Sequence, residues 1–508
     1  MKIDRRGFVT SAAGAAVMLP FARAWSTATS TSRTAARGPD LQARDLDGGE
    51  VLLARADLDD LAAGLRGALL FADSAQYDSA RHIWNGAFDW RPALIARCTG
   101  QADVRRAVEF ARAHRLLTAV RGGGHSTSGK SSCDGGLMLD LAPMQGVRVD
   151  PQARRAFVEP GTLLGQLDHE TTAFGLVTTA GTVSHTGAAG LTLGGGFGRI
   201  GRRFGLACDN LVGADLVTAD GRRVRASESE NPELLWGLRG GGGNFGVVTA
   251  FEYRLHPMNP MIWGGVIAWP VARAREVLRT VAELSLTAPD ELNLDPLLVT
   301  PPGAPPMVVV EICASGDHAT AERRVAPLRA LGQPSMDRLG PMPYVALQSA
   351  NDAANPHGIR HYSKAGFLPK LTEGLLEDVV QVFESAPPGM LTLVFQQSGG
   401  AINRVAADAT AFPNRDNAYW LMVMSNWLDP AADEAHKAAA RAGWKRLEPH
   451  TRGFYVNSAT ERDDAAVRSN YGANHARLVA LKDRYDPGNL FRLNVNIKPS
   501  AAAKPGAA

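Results

Sequence analysis

The sequence predicts an α+β protein of more than one domain, and three observations carry that prediction. The chain has 508 residues, beyond the size at which one hydrophobic core stops growing. Between residues 259 and 452, helical patterns (Val271–Leu286, Ala319–Leu331, Ala431–Leu447) alternate with strand-like ones (Met307–Ile312, Met390–Gln396, Tyr419–Trp427). That texture suits an antiparallel sheet covered by helices. Ahead of it, three glycine-rich blocks (Val120–Leu141, Gly181–Gly201, Arg239–Gly246) sit in a strand-rich stretch.

Composition narrows the class. Apolar residues make up 45% and charged residues 21%, enough material for large cores. A formal charge of +3, with no basic stripe interleaved with aromatics, argues against a nucleic-acid partner. Asp4-Arg5-Arg6-Gly7-Phe8-Val9, an apolar run to Phe21 and Ala22-Arg23-Ala24 read as a twin-arginine export signal over residues 1–24. The twin-arginine export machinery is therefore an expected partner, and the periplasm or the exterior the expected location. Residues 25–49 are expected to be a flexible linker, and 501–508 a disordered tail. No later run reaches the ~18 apolar residues of a membrane span. Cys98, Cys133, Cys208 and Cys313 lie far apart, so no zinc or other metal site is expected.

The elements follow in order. Leu58, Leu61, Leu65 and Leu69 share a face and predict a helix over Leu58–Phe71. Ala93–Cys98 reads as a strand, Ala102–His114 as a helix, and Leu116–Val120 as a strand that stops at Arg121. Gly122, Gly123 and Gly124 can turn several N–H groups one way, forming an anion-binding concavity beside His125 and Ser126; a plain turn is the other reading of this stretch alone. Leu137–Leu141 and Arg155–Glu159 are further strands, and Thr162 caps a helix to Phe174.

The second block contains Gly-x-Gly-x-x-Gly at 196, 198 and 201, and the third at 241, 243 and 246. A dinucleotide fingerprint should follow a strand, open a helix and precede an acidic residue. Asp220 instead occupies the turn of a hairpin between Ala214–Thr218 and Arg223–Ala226, and the third block runs into VVTAFEYRL, a strand. The dinucleotide reading fails twice. Three glycine loops still fit one long, phosphate-bearing ligand.

Their order and wording resemble the flavin oxidases of the vanillyl-alcohol oxidase superfamily, with its PCMH-type FAD-binding domain, and within it the berberine-bridge-enzyme-like branch. The resemblance rests on Arg121-Gly-Gly-Gly-His-Ser126, on Gly181–Gly198 ending LGGGFG, and on Asp209-Asn210. Trp236–Gly246 and Tyr485-Asp-Pro-Gly-Asn-Leu-Phe491, with Asn494 and Asn496, extend it. It implies a discontinuous, two-subdomain FAD-binding domain over 50–258 and 453–500, with a substrate-binding domain over 259–452.

The resemblance also implies a site. His125 would bond covalently to the flavin. Val183 stands where many members carry a second, cysteinyl link, so attachment through His125 alone is expected. Arg121, Gly122, Gly123, Gly124, Ser126, Gly181, Gly187, Gly190, Val248 and Asn496 would complete the cofactor site. The implied chemistry oxidises a C–H bond of a small alcohol, sugar or amine, with dioxygen as acceptor and hydrogen peroxide as product. Tyr455, as a tyrosinate beside a cation, His185 and Arg404 are the candidate catalytic residues, with Gln396 and Gln397 in the pocket. No carboxylate stands near Arg404, where some plant members use a glutamate, and Ser458 replaces a second tyrosine. Thr186 lies about where such enzymes gate oxygen. A dehydrogenase passing electrons to a quinone or protein acceptor, and a flavoprotein that only binds, are the alternatives.

Overall fold

The computed structural model describes residues 39–458, 460 and 463–500. The export signal, residues 25–38 of the expected linker and the expected tail lie outside these. The end of that linker is ordered: Leu41–Arg44 pairs antiparallel with Glu50–Leu53. The first helix ends at Gly64 instead of Phe71, because Leu69–Leu70 leaves it to pair with Leu94–Arg97.

Three sheets organise the chain. In the first, Leu94–Arg97, Leu137–Asp140 and Thr118–Arg121 run parallel, with helix Gln101–Ala113 packed on them. The glycine loop of Gly122–Gly124 therefore leaves the C-terminal end of a parallel strand. In the second sheet, Arg223–Ser227, Leu211–Val217, Val247–Arg254, Arg155–Val158 and Val147–Asp150 are antiparallel neighbours, so Asp220 does sit in a hairpin turn. The second core joins this sheet to Phe454, Tyr471, Leu478, Leu481 and Ile497, so the C-terminal segment packs with residues 156–255.

The third sheet is the large one. Its path is Met336–Asp337, Met261–Pro270, Met307–Ala314, Leu292–Val299, Thr392–Gln397, Tyr419–Trp427 and Arg360–Leu368, with every pairing antiparallel. Period-two alternation sorts its side chains onto two faces. Leu294, Leu298, Val308, Val310, Leu393, Leu421 and Val423 pack under helices Ala274–Leu286, His318–Arg329, Glu373–Ser385 and Asp433–Leu447. The opposite face carries Asp295, Leu297, Val299, Glu311, Met422 and Met424 toward the glycine loops.

Buried polar ties connect the signature motifs. Arg415 forks onto Asp209 at 2.6 and 2.8 Å, joining the AFPNR loop to the segment after the second glycine block. Asn244 donates to Val495 O and accepts from Ile497 N, stitching the third glycine block to the C-terminal return. Lys482 is 0% exposed and donates to Asp486 Oδ2, Asn244 O and Phe491 O. Asp486 in turn accepts from the N–H groups of Leu490 and Phe491. In the Tyr485–Phe491 motif the Lys482 and Asp486 charges are thus paired, as burial requires, while Asn489 Oδ1 is buried without a partner.

Candidate active site

A cavity of about 580 Å³ lies between the glycine loops and the open face of the large sheet. Gly122–Ser126, Gly181, Gly187, Gly190, Gly242, Gly243 and Val248 line one side. The loops touch backbone to backbone: a Cβ on Gly123 would come within 2.4 Å of Gly187 Cα. By contrast, a Cβ on Gly190 or Gly243 would meet nothing within 4 Å, so those two glycines leave room for a ligand to approach the chain.

At one end stands a group of imidazoles. Trp84 stacks on His125 at 4.3 Å and on His361 at 3.8 Å, with 16° between the planes in both pairs. Trp84 is pinned by its own bonds: its N–H to Gly124 O, and its Nε1–H to Asn355 O. His185 lies 5.2 Å from His125 and 5.1 Å from His357, centroid to centroid. Burial, and then the neighbouring His185 and His357, lower the His125 pKa to about 3. Its imidazole is neutral at ordinary pH, and its Nε2 is buried without a hydrogen-bond partner. Among the described residues no group of three or more metal-ligating side chains is placed to hold an ion.

The other predicted residues divide. Gly122, Gly123, Gly124, Ser126, Gly181, Gly187, Gly190 and Val248 line the cavity with His125, as do Val183, Thr186 and Gln396. Arg121 does not; its guanidinium turns behind the loop to Ala80 O and Asp140. Asn496 lies one residue beyond the lining stretch Leu493–Val495, with its Oδ1 buried and unpartnered. His185 flanks the cavity through its contacts with His125 and His357. Gln397 faces away, tied to Leu294 N. Arg404 is exposed and paired with Asp290, outside the cavity, so its expected catalytic place is corrected.

Tyr455 lines the cavity, but its expected tyrosinate form is corrected too. Its hydroxyl oxygen accepts from Gly196 N at 2.9 Å and from Asn457 Nδ2 at 2.8 Å. Burial outweighs both and pushes its pKa up to about 12. It is a neutral phenol.

The sheet wall supplies what the sequence reading missed. Asp295 and Glu311 face each other across paired strands, and both line the cavity. Glu311 Oε2 accepts from Arg199 Nη1 at 2.6 Å and from Asn351 Nδ2 at 3.3 Å. Asp295 Oδ1 accepts from Gln397 N at 2.7 Å, and burial raises its pKa to about 7. A signal existed: each is the one carboxylate in a largely apolar strand, LNLDPLLV and MVVVEICA, and a buried carboxylate needs a reason. Trp84, Lys130, His357, His361 and Trp420 were also missed, because no motif marks them.

A glycine cradle at the end of a parallel strand, orphaned acceptors at Asn494 and Asn496, and a neutral, unpartnered imidazole fit a dinucleotide-sized cofactor with one reactive edge. The cavity and fold define a flavoprotein oxidoreductase. Residues 92–227 match the FAD binding domain family, and residues 454–498 match the family described as berberine and berberine like. An FAD-linked oxidoreductase of Dictyostelium discoideum is 32% identical over 447 residues, covering 87% of this chain and 97% of that protein. The (R)-6-hydroxynicotine oxidase of Paenarthrobacter nicotinovorans is 30% identical over 459 residues, covering 86% and 98%. The crystal structure of 6-hydroxy-D-nicotine oxidase from Arthrobacter nicotinovorans superposes with a TM-score of 0.80 at 30% identity, covering 86% of this chain and 98% of that one. The chain belongs to the berberine-bridge-enzyme-like FAD-linked oxidoreductases, and FAD is its cofactor.

Proposed function

We propose that this protein oxidises a C–H bond of a small alcohol, sugar or amine, with its FAD held covalently by His125 and dioxygen as the electron acceptor. The carrying observation is the neutral, buried His125, whose Nε2 lacks a partner inside the glycine cradle. Bound there, FAD would supply a hydride acceptor whose two electrons would go to dioxygen, giving hydrogen peroxide. Gly122–Gly124, Gly187 and Gly190 line the cavity and would hold the pyrophosphate through their backbone N–H groups. Trp84 fixes the His125 ring by stacking, and Val183 leaves His125 as the single attachment. The proton leaving the substrate O–H or N–H needs an acceptor that titrates near neutrality. Asp295 meets that requirement, and the neutral Tyr455 does not.

Two measurements test this reading. Purified protein mixed with primary alcohols, aldoses and amines should bleach its flavin under nitrogen and release peroxide in air. Bleaching with no peroxide, and turnover only with a quinone added, would instead make it a dehydrogenase. Export through the twin-arginine pathway belongs to the same proposal, supported by Arg5-Arg6. Replacing both with Lys should leave precursor in the cytoplasm, and unchanged export would refute that part.

A further inference from the structure

We propose that the sheet wall selects a compact, largely apolar substrate with one basic nitrogen, held as its ammonium by Asp295. This rests on the flavin-oxidase reading and narrows its substrate class.

The wall is built in rows across the strands. Glu311 pairs with Asp295. Continuing the register Leu297↔Val394 by two residues sets Gln396 beside Asp295, and Gln396 pairs with Trp420. All four line the cavity. Adjacent strands are about 4.8 Å apart, so the row from Asp295 to Trp420 spans roughly 10 Å. The next rows are Leu297, Val394 and Met422, then Val299, Thr392 and Met424. One end is polar and the middle is apolar.

Charge singles out Asp295. Arg199 neutralises Glu311 at 2.6 Å, and Arg202 is spent on the carbonyls of Ser398 and Ala288. Asp295 forms no ion pair among the described residues and is 6% exposed. Burial and Glu311 oppose its ionisation, while the Gln397 N–H, Arg199 and Asn293 favour it. Arg202, still cationic, Cys313 and Tyr419 are the other titratable groups close enough to feel its charge. A buried carboxylate in this state takes either a proton or a cation. An ammonium satisfies it; the Trp420 ring beside it is packed on Phe197 and Tyr455. Trp420 Nε1 is itself buried without a partner, so this row holds a second group awaiting a ligand. A sugar would leave several hydroxyls against leucine, valine and methionine, each unpaired at a cost.

The test uses the flavin-loaded protein under nitrogen with four probes: benzylamine, benzyl alcohol, benzoate and cellobiose. Perturbation of the flavin absorbance on binding is the readout, since Asp295→Asn also removes the proton acceptor and with it bleaching by any probe. Benzylamine should act at least about tenfold more tightly than benzyl alcohol, and its affinity should rise as the solution passes from about pH 6 to 8, as Asp295 ionises. Asp295→Asn should abolish that preference and its pH dependence, with flavin content and melting temperature retained. Glu311→Gln frees Arg199 beside Asp295 and should weaken benzylamine and move the pH midpoint down. Equal action by benzyl alcohol or cellobiose, no response to any probe, or an unchanged preference in Asp295→Asn would overturn the proposal. Protein purified without flavin would sink the oxidase reading itself; bound flavin that dithionite bleaches, with no amine preference, would sink this inference alone.

Discussion

At the scale of single residues, the site depends on imidazoles kept neutral by burial. Burial lowers the His361 pKa to about 4, against roughly 6.5 in an unfolded chain. The unfolded state therefore takes up a proton first as pH falls, so stability is complete above about 6.5 and is lost down to about 4. At pH 5 this one group should cost about 2 kcal/mol. Melting curves from pH 7 to 4 should show that loss, and His361→Gln should lessen it while His125 still contributes; a pH-independent melting temperature would contradict the account. Tyr455 belongs to the same scale. Tyr455→Phe strands the Gly196 N–H and leaves Asn457 Nδ2 only its bond to Leu191 O, and should destabilise by about 1–3 kcal/mol. Flavin reduction should fall less than about tenfold, because a phenol with a pKa near 12 is not the base. A loss of about a hundredfold or more would restore Tyr455 as the proton acceptor.

Elements place the loops, and here two glycines make opposite predictions. Gly123→Ala drives a Cβ into Gly187 Cα, so the first two glycine loops must separate and flavin incorporation should be lost. Gly190→Ala meets nothing within 4 Å, so the flavin-free fold should hold with an unchanged melting temperature while flavin binding weakens. Flavin absorbance per protein and thermal melts separate the two. The loops themselves were legible in the sequence, because glycine clusters advertise backbone that must come close to something. Helices Gln101–Ala113 and Asp433–Leu447 were legible through their apolar faces. Strands Met261–Pro270, Leu292–Val299 and Arg360–Leu368 were not: Gly264-Gly265 and Pro296 interrupt two of them, and the third mixes polar with apolar residues. Losing Leu292–Val299 meant losing Asp295, since a side chain's face follows from strand register. Asp295 and His361 lie on those unread strands, whereas Glu311 and Trp420 lie on strands that were read and were missed because the facing side was not.

For the whole molecule, the motif order was a sound guide to fold, because Arg415–Asp209, Asn244–Ile497 and Lys482–Asn244 tie residues remote in sequence. Breaking one tie should be costly. Arg415→Met leaves Asp209 buried without its cation and should destabilise by about 3–5 kcal/mol; adding Asp209→Leu should recover part of that in a denaturant titration. Arg121 and Arg404 show the limit of reading by motif: both sit within or beside signature stretches, yet one supports the loop from behind and the other faces solvent. Sequence position located the loops and could not say which way those side chains turn. The central claim is that the cradle exists to hold a flavin on His125. Acid-denatured protein run on a gel and viewed under ultraviolet light, beside His125→Ala, tests it most directly. A fluorescent band in the parent that vanishes in the variant is the predicted result. Flavin released by acid from the parent protein would contradict the covalent link, and a protein without any flavin would contradict the account as a whole.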